Sequence, residues 1–256
     1  MSEAAPAALP VAAIIVSLGR CGELRNCLAS LARQSPALAR VIVVDNGSAD
    51  GTLEMVRGEF PWVDLVASPQ NLGACIARNL AALRAPEPFL WFLDSDTEVI
   101  ADDGAARMLA PFSAPDVVAV GGEALLDAAG RSVAVKRPVV RANGSIQGEI
   151  VFEAEAESDV LASCNLMLRR ANFLAIGGFD PFYFFFYEDI DLTWRLGPKQ
   201  LVLAPMPVLH HFSERMRVGR LWLQARNRMY FCIKNFVWLR LLAMPVNDLY
   251  FIQFFP

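Results

Sequence analysis

The first 94 residues alternate short apolar runs with segments of helical periodicity, and this alternation restricts the possible folds more than any other feature. The apolar runs 11–18, 40–45 and 88–94 have the length and composition of buried strands. Between the first two runs, Leu24 and Leu28 have the spacing of one helix face. Apolar strands separated by amphipathic helices are typical of an α/β fold whose mainly parallel central sheet is flanked by helices.

The same patterns predict further elements along the chain. Helices are predicted at 22–34, 52–60 and 73–85, with a strand at 63–68 between the last two. Turn residues divide the region 121–160 into short strand-like runs, which predicts either a smaller, β-rich excursion or a flexible loop region.

The remainder of the chain is predicted to return to the sheet and then to end in helix. A strand is expected at 159–170, followed by a short helix, and a basic, aromatic helix at 218–242. Residues 1–10 are expected to be a flexible leader, and 214–256 a helical tail.

Charge is unevenly divided between body and tail. Residues 1–213 carry 16 Lys and Arg against 25 Asp and Glu, whereas residues 214–256 carry 7 against 2. An acidic body argues against nucleic acid as the main partner, because nucleic-acid binding relies on basic contacts to phosphate. The basic, aromatic tail has two interpretations: a helix that lies on an anionic membrane surface, or one that packs on the domain with its arginines outward.

The cellular compartment of the protein is predicted from its cysteines and from the absence of targeting signals. The five cysteines are odd in number and form no C-x-x-C pair, which predicts buried thiols in a reducing compartment. The first ten residues lack the basic flank and apolar run of a secretory signal. No run of 18 uncharged apolar residues occurs, so no transmembrane helix is predicted. A cytoplasmic location is expected, with a peripheral membrane contact through the tail.

Two carboxylates, Asp94 and Asp96, follow the apolar run FLWFL. In a mainly parallel sheet, ligands bind outside the carboxyl ends of the strands, and this rule places the pair at the binding edge. Hard cations such as Mg²⁺ prefer carboxylate and phosphate oxygens. The alternative is a turn in which these side chains only cap backbone amides. Asp45 ends the preceding strand 40–45 and is expected in the same crevice, with its carboxylate available to a nucleobase or ribose.

The segment 71–79, NLGACIARN, precedes and opens a predicted helix. Asn71 and Gly73 lie before the first turn, where a helix N-terminus favours phosphate. Arg78 lies on the second turn and either pairs with phosphate or is an ordinary exposed arginine.

Three acids, Glu188, Asp189 and Asp191, follow an aromatic cluster. A carboxylate beside aromatic walls is partly desolvated, which raises its proton affinity and suits a general base. The alternative is a helix N-terminus enriched in acids, which the helix dipole favours. His210 and His211 are the only histidines, and at most one of two adjacent strand residues is expected to face the site, where it would complete a metal shell begun by Asp96.

Taken together, these motifs resemble those of the family 2 glycosyltransferases, which have the GT-A fold. The resemblance runs from about Val11 to His211. Within the family, the chain is similar to bacterial enzymes that build surface polysaccharides, including rhamnosyltransferase-like ones. Its motifs, specific in their order and spacing, are VIVVDNGSADGT, NLGACIARN, FLDSD, GGFDPFYFFFYEDIDLTWR and VLHH.

The resemblance implies a role for each matching residue. Asp45 would contact the donor base, Asp94 the ribose or a metal-bound water, and Asp96 would ligate Mg²⁺ or Mn²⁺ with support from His210. The predicted donor-binding set is completed by Asn71, Gly73, Arg78 and Ser95.

The acceptor side follows in the same way. Asp189 would be the catalytic base with Glu188 beside it, while Asp191 and Arg195 organise that region. Residues 11–213 would form the catalytic domain, with a nucleotide-binding half at 11–100 and an acceptor half at 101–213.

The resemblance implies inverting transfer from a nucleoside-diphosphate sugar to a saccharide or lipid-linked acceptor in surface polysaccharide or glycolipid synthesis. One segment departs from the family: IIVSLGR stands where a Thr-Tyr-Asn-type segment usually follows the first strand, which alters the expected nucleotide contacts.

Rival functions are disfavoured by specific positions. A haloacid-dehalogenase-type phosphatase needs Thr or Val four residues after Asp94, where this chain has Glu98. A dinucleotide-dependent oxidoreductase needs G-x-G-x-x-G after the first strand, which SLGRCG does not supply. A catalytically silent protein that binds sugar nucleotides is the remaining alternative.

Overall fold

A mixed, mostly parallel sheet with helices on its faces forms the centre of the protein. The computed structural model describes residues 7–121, 123–126, 132–141, 144–151, 156–197, 201–204, 208–210 and 219–235. Its strands are β1 (Leu9–Ser17), β2 (Leu38–Asp45), β3 (Asp64–Ala67), β4 (Phe89–Asp94), β5 (Thr97–Val99), β6 (Ala119–Gly121), β7 (Glu123–Leu126), β8 (Ser132–Val140), β9 (Ile146–Val151), β10 (Ala156–Glu157), β11 (Asn165–Arg169), β12 (Leu201–Leu203) and β13 (Val208–His210). Its α-helices are α1 (Cys21–Ala32), α2 (Thr52–Glu59), α3 (Gly73–Arg84), α4 (Gly104–Leu109), α5 (Arg170–Ala175), α6 (Glu188–Leu196) and α7 (Gly219–Asn235).

The main sheet has the strand order β10-β12-β6-β11-β4-β1-β2-β3 within the described residues. The pairs β1–β2, β1–β4, β2–β3 and β6–β12 are parallel, while β11 runs antiparallel to β4 and β6. The predicted α/β fold with a mainly parallel sheet is therefore confirmed.

Two smaller sheets accompany the main one. Strands β7, β8 and β9 form an antiparallel sheet, which confirms the β-rich excursion predicted at 121–160. Strand β13 pairs antiparallel with β5, just beyond the end of β4.

The core lies on both faces of the main sheet, which explains the uninterrupted apolar runs in its strands. Along β1, Ala12 and Ile14 join the hydrophobic cluster on one face, and Ala13 and Ile15 join the cluster on the other. All four side chains are fully buried. Because β1 pairs parallel with both β2 and β4, the carboxyl ends of these three strands meet at one edge of the sheet.

The predicted strand at 159–170 is shorter in the structure and covers only Asn165–Arg169. Residues before it form a loop, because Leu161 N donates to the hydroxyl of Thr193 on α6 at 3.0 Å instead of to a neighbouring strand. The predicted helix at 218–242 is described as Gly219–Asn235, so its last residues, like residues 1–6 of the expected leader, lie outside the described ranges.

All five cysteines are free thiols. Cys27, Cys75, Cys164 and Cys232 are buried, as predicted, and Cys21 is half-buried. In the parts of the chain that are described, no helix combines the length and apolar character needed to cross a membrane.

Candidate active site

Asp45 and Asp94 flank the carboxyl end of β1, as the strand pattern predicts. Asp45 lies opposite Ser17 across the β1–β2 pair, and Asp94 lies opposite Val16 across the β1–β4 pair. Asp45 is fully buried, and its Oδ2 accepts a hydrogen bond from Ser48 N at 3.1 Å. Asp45 Oδ1 and the neighbouring Ser17 Oγ are buried without a hydrogen-bond partner among the described residues. Buried polar atoms are normally paired, so these two oxygens suit the polar groups of a ligand.

The DSD segment after β4 places two carboxylates in different surroundings. The Asp94 side chain is 31% exposed, whereas the Asp96 side chain is 8% exposed. Ser95 between them is buried. Arg20, which directly precedes α1, donates to Asp96 Oδ2 and so places a cation against this carboxylate. The Asp94 and Asp96 carboxylates offer the hard oxygen donors that a divalent ion prefers, and such an ion would compete with Arg20 for Asp96.

The metal role predicted for His210 is supported only by the position of its backbone. His210 pairs with Thr97 across the β13–β5 sheet, which brings it beside the residue that follows Asp96. Its side chain and His211 lie outside the described residues. Among the side chains that are described, no three of His, Cys, Asp or Glu form a group that could hold a metal.

Asn71 and Gly73 belong to a tight turn before α3. Asn46 Nδ2 donates to Asn71 Oδ1 at 2.9 Å, and Asn71 Oδ1 also accepts from Gly73 N at 2.9 Å. Gly73 has φ of 79°, in the left-handed region that glycine tolerates. Ala74 N, in the first turn of the helix, donates to the carbonyl of Phe184 at 2.9 Å, so the aromatic segment covers this end of α3.

Arg78 lies in the interior of the site and is only 4% exposed, which contradicts its interpretation as an exposed helix arginine. Its Nη2 donates to Asp94 Oδ1 and its Nη1 to Glu188 Oε1, both at 2.8 Å. The guanidinium also lies over the Phe179 ring, 5.3 Å from its centroid. One buried cation thus joins the end of β4 to the start of α6.

Glu188 and Asp189 both favour protonation more than ordinary carboxyls do. Burial, assisted by the charge of Asp189 and opposed by Arg78, raises the pKa of Glu188 to about 7. Burial also raises the pKa of Asp189, although hydrogen bonds from Ser163 N and Ile190 N favour its charged form. Those bonds, at 3.0 and 2.8 Å, engage one lone pair on each Asp189 oxygen. Each oxygen therefore keeps capacity for a further proton donor.

Comparison with known proteins identifies the family of this chain. Residues 12–173 match the model of the family described as Glycosyl transferase family 2. The chain belongs to glycosyl transferase family 2. This confirms the resemblance drawn from its motifs.

Two curated relatives match this chain over long stretches. An N-acetylglucosaminyl-diphospho-decaprenol L-rhamnosyltransferase of Mycobacterium tuberculosis is 29% identical over 250 residues, which covers 79% of this chain and 76% of the relative. The succinoglycan biosynthesis protein ExoA of Rhizobium meliloti is 29% identical over 178 residues, covering 64% of this chain and 50% of the relative.

Solved structures share the fold of this family 2 member. A mannosyltransferase from Pyrobaculum calidifontis, in complex with GDP-Man and Mn²⁺, has a TM-score of 0.62 at 19% identity and matches 88% of this chain. GalNAc-T7 with UDP, GalNAc and Mn²⁺ has a TM-score of 0.66 at 17% identity and matches 87% of this chain. The chain spans 63% and 49% of the lengths of these two proteins.

Asp191 and Arg195 of this family 2 chain form the support beneath α6. Asp191 is fully buried and accepts from Tyr183, Arg195, Lys234 and Asn235 at 2.8–3.1 Å. Its contacts are all within the protein, and they fit the organising role that the resemblance implies.

Besides Ser17 at the end of β1, three residues of the site were missed from the sequence. Arg20 follows the carboxyl end of β1, so the rule that placed Asp45 would also have found it. Ser163 binds Asp189 only because β11 runs antiparallel to β4, and sequence periodicity carries no signal for that pairing. Asn46 looks like an ordinary turn residue, and only its bond to Asn71 reveals its role.

Proposed function

We propose that this family 2 chain transfers a sugar from a nucleoside-diphosphate sugar to an acceptor hydroxyl, with inversion at the anomeric carbon. The observation that carries the proposal is the double contact of Arg78 with Asp94 and Glu188. Arg78 thereby connects the end of β4, which suits the donor, with the acids at the start of α6, which suit proton transfer. In this proposal the junction holds the donor site and the base in a fixed relation, which favours attack from the side opposite the leaving group.

In this proposal, the donor nucleotide binds along the carboxyl ends of β1, β2 and β4. The unpaired Asp45 Oδ1 and Ser17 Oγ offer hydrogen-bond capacity to its base or ribose. Asp94 and Ser95 contact the ribose and diphosphate side, and the turn at Asn71–Gly73 shapes the adjoining wall. Arg78 contributes by holding Asp94, since its guanidinium donates to the carboxylates of Asp94 and Glu188.

Asp96, with His210, is proposed to hold Mg²⁺ or Mn²⁺. Both solved structures named above contain Mn²⁺, and in this chain the Asp96 carboxylate lies just beyond the end of β4, beside Asp94 and Ser95. When bound, the ion neutralises the charge that develops on the departing diphosphate.

Asp189 is proposed as the general base. In its charged form it accepts the proton of the acceptor hydroxyl on a lone pair left by Ser163 N and Ile190 N. Those two bonds fix the carboxylate plane, so proton transfer needs no rotation of the side chain. A positioned base of this kind is worth ~10²–10⁴-fold in rate. Glu188 is buried beside it and holds Arg78 in place.

The acceptor is proposed to be a saccharide or a lipid-linked saccharide in bacterial surface polysaccharide or glycolipid synthesis. The names of the two curated relatives place one on a diphospho-decaprenol acceptor and the other in succinoglycan biosynthesis. By the same reasoning the transferred sugar is a hexose or a deoxyhexose such as L-rhamnose.

Peripheral attachment to the inner face of the cell membrane is proposed through α7. This helix has four basic residues and no acidic ones. Trp222, Met229 and Ile233 follow one another at helical spacing and are 67%, 51% and 56% exposed. The opposite side holds the fully buried Asn227 and Phe231. An outward apolar face on a cationic helix suits an anionic lipid surface.

The test of the proposed reaction is a panel of donors: GDP-mannose, UDP-N-acetylgalactosamine and nucleoside-diphosphate L-rhamnose. Release of nucleoside diphosphate is measured with Mn²⁺, with Mg²⁺ and with a chelator. We expect metal-dependent release with one donor, and a product of inverted anomeric configuration when acceptor is present. Binding of a donor without release would indicate the catalytically silent alternative and would reject the proposal.

A further inference from the structure

The residues just before the two acids adopt a backbone conformation that L side chains rarely take. Phe184, Phe186 and Tyr187 have φ of 63°, 69° and 67°. Such conformations persist only where surrounding contacts hold them, and they concentrate near functional sites. The segment leads directly into Glu188 and Asp189, so whatever holds it also sets where α6 begins.

Asn227 of α7 supplies the largest set of those contacts. Its side chain is fully buried, and its Nδ2 donates to the carbonyls of Tyr183, Phe185 and Phe186 at 2.9, 2.8 and 2.7 Å. Arg226 donates to Asn227 Oδ1 at 2.9 Å from Nε and 2.7 Å from Nη2. Because a guanidinium can only donate, it fixes the amide with its NH₂ group toward the three carbonyls.

The other side of the same segment is held by the start of α3. Phe184 O accepts from Ala74 N at 2.9 Å. The Phe184 ring lies against Gly73, where an added Cβ would approach it to 2.5 Å. The segment is therefore held between α3 and α7, and a shift on the α7 side would be transmitted to the first turn of α6.

We infer that Asn227 is a positioning residue for the catalytic base. By fixing the carbonyls of residues 183, 185 and 186, it keeps Asp189 in reach of Ser163 N and keeps Glu188 in reach of Arg78. This inference rests on the proposed function, in which Asp189 accepts the proton of the acceptor. Asn227 touches neither substrate in this account and acts only through the segment that precedes α6.

The experiment compares Asn227→Leu, which keeps the branched shape of the side chain and removes its donors, with Met108→Ala. Met108 is a fully buried residue of α4 and belongs to the hydrophobic cluster on the sheet face of Ala13 and Ile15. Its truncation therefore lowers stability without touching this segment. Both are measured with the panel donor that wild type turns over, for kcat, for donor affinity and for the pH dependence of kcat. Asn227→Ser, which keeps one donor, serves if the leucine variant does not fold.

A positioning role predicts that Asn227→Leu lowers kcat by roughly 10–100-fold with donor affinity within about twofold, because small misplacements of reacting groups cost this much. The pH profile of kcat should shift, and the serine variant should be intermediate. Met108→Ala should change neither kcat nor the profile at equal fraction folded. A loss in Asn227→Leu no larger than that in Met108→Ala would overturn the inference.

A second arm separates this inference from the base assignment itself. In an Asp189→Asn background, Asn227→Leu should lower kcat by less than about a further twofold. The effects of residues that act as one unit are not additive. A full additional loss in that background would overturn the positioning role while leaving the base assignment intact. An active Asp189→Asn enzyme would overturn both.

A readout independent of the donor is amide hydrogen exchange. Asn227→Leu should speed exchange of the amides in 184–191 and leave β1 and β2 protected, whereas Met108→Ala should not affect 184–191 selectively. Unchanged exchange in 184–191 of the leucine variant would contradict the inference.

Discussion

Arg78 and Glu188 form an ion pair of 2.8 Å although 110 residues separate them along the chain. Both side chains are about 95% buried, so neither charge is screened by water. A pair of this kind is expensive to break, because the remaining charge is left in a medium of low polarity. The site therefore depends on this pair for its structure as well as for its chemistry.

Replacing Arg78 by methionine should destabilise the protein by about 3–5 kcal/mol, the usual cost of removing one partner of a buried pair. Urea unfolding of the variant measures this loss. Combining it with Glu188→Gln should recover part of the stability, since the Glu188 charge is then no longer buried without its partner. A single variant within 1 kcal/mol of wild type would show that the pair contributes little.

Stability should fall as pH rises through the window set by Glu188. Burial raises its pKa from 4.5 to about 7 in the folded protein. Between these values the folded state binds more protons than the unfolded state, so unfolding becomes easier with increasing pH. Glu188→Gln should remove this part of the pH dependence in urea unfolding between pH 4.5 and 7. An identical slope in the two proteins would contradict the raised pKa of Glu188.

Removing the cation beside Asp96 should change metal affinity in the absence of donor. Arg20→Met is expected to bind Mn²⁺ more tightly than wild type, because the guanidinium no longer competes for the Asp96 carboxylate. Asp96→Asn should bind it more weakly. Electron paramagnetic resonance of free Mn²⁺ measures both. Weaker binding by Arg20→Met would mean that Arg20 supports the metal site instead of competing with it.

Membrane association should depend on the outward face of α7. Trp222→Ser with Ile233→Ser should lower binding to vesicles containing phosphatidylglycerol by about tenfold or more, from the apolar area withheld from lipid. Trp62→Ser is the matched control, because Trp62 is 47% exposed and lies outside α7. Equal binding by the double variant and the control would reject α7 as the contact surface.

The sequence predicted the sheet and the strand-end acids because these depend on local periodicity. Double burial gave β1 and β4 their continuous apolar runs, and the position of a strand end then located Asp45 and Asp94. The interior position of Arg78 was not predictable, because the presence of an arginine does not show whether its face of the helix will be buried. Likewise the role of Asn227 depends on packing between α7 and a segment 41–44 residues earlier in the chain, which no local sequence pattern shows.

One predicted strand boundary was wrong for a related reason. The strand predicted at 159–170 begins only at Asn165, since Thr193 of α6 captures an amide of the preceding loop. Tertiary hydrogen bonds of this kind replace strand pairing without altering the apolar pattern that predicted it.

The central claim is that Asp189 accepts the proton of the acceptor hydroxyl, and turnover by Asp189→Asn tests it most directly. Asp191→Asn is the matched control, since Asp191 lies two residues away and its carboxylate is engaged within the protein. With the donor that wild type turns over, Asp189→Asn should lower kcat by ~10²–10⁴-fold. Its donor affinity and thermal stability should stay near those of wild type. Asp191→Asn should instead lose about 3 kcal/mol of stability, the lower end for a broken buried pair. A wild-type kcat in the Asp189→Asn enzyme would contradict the account.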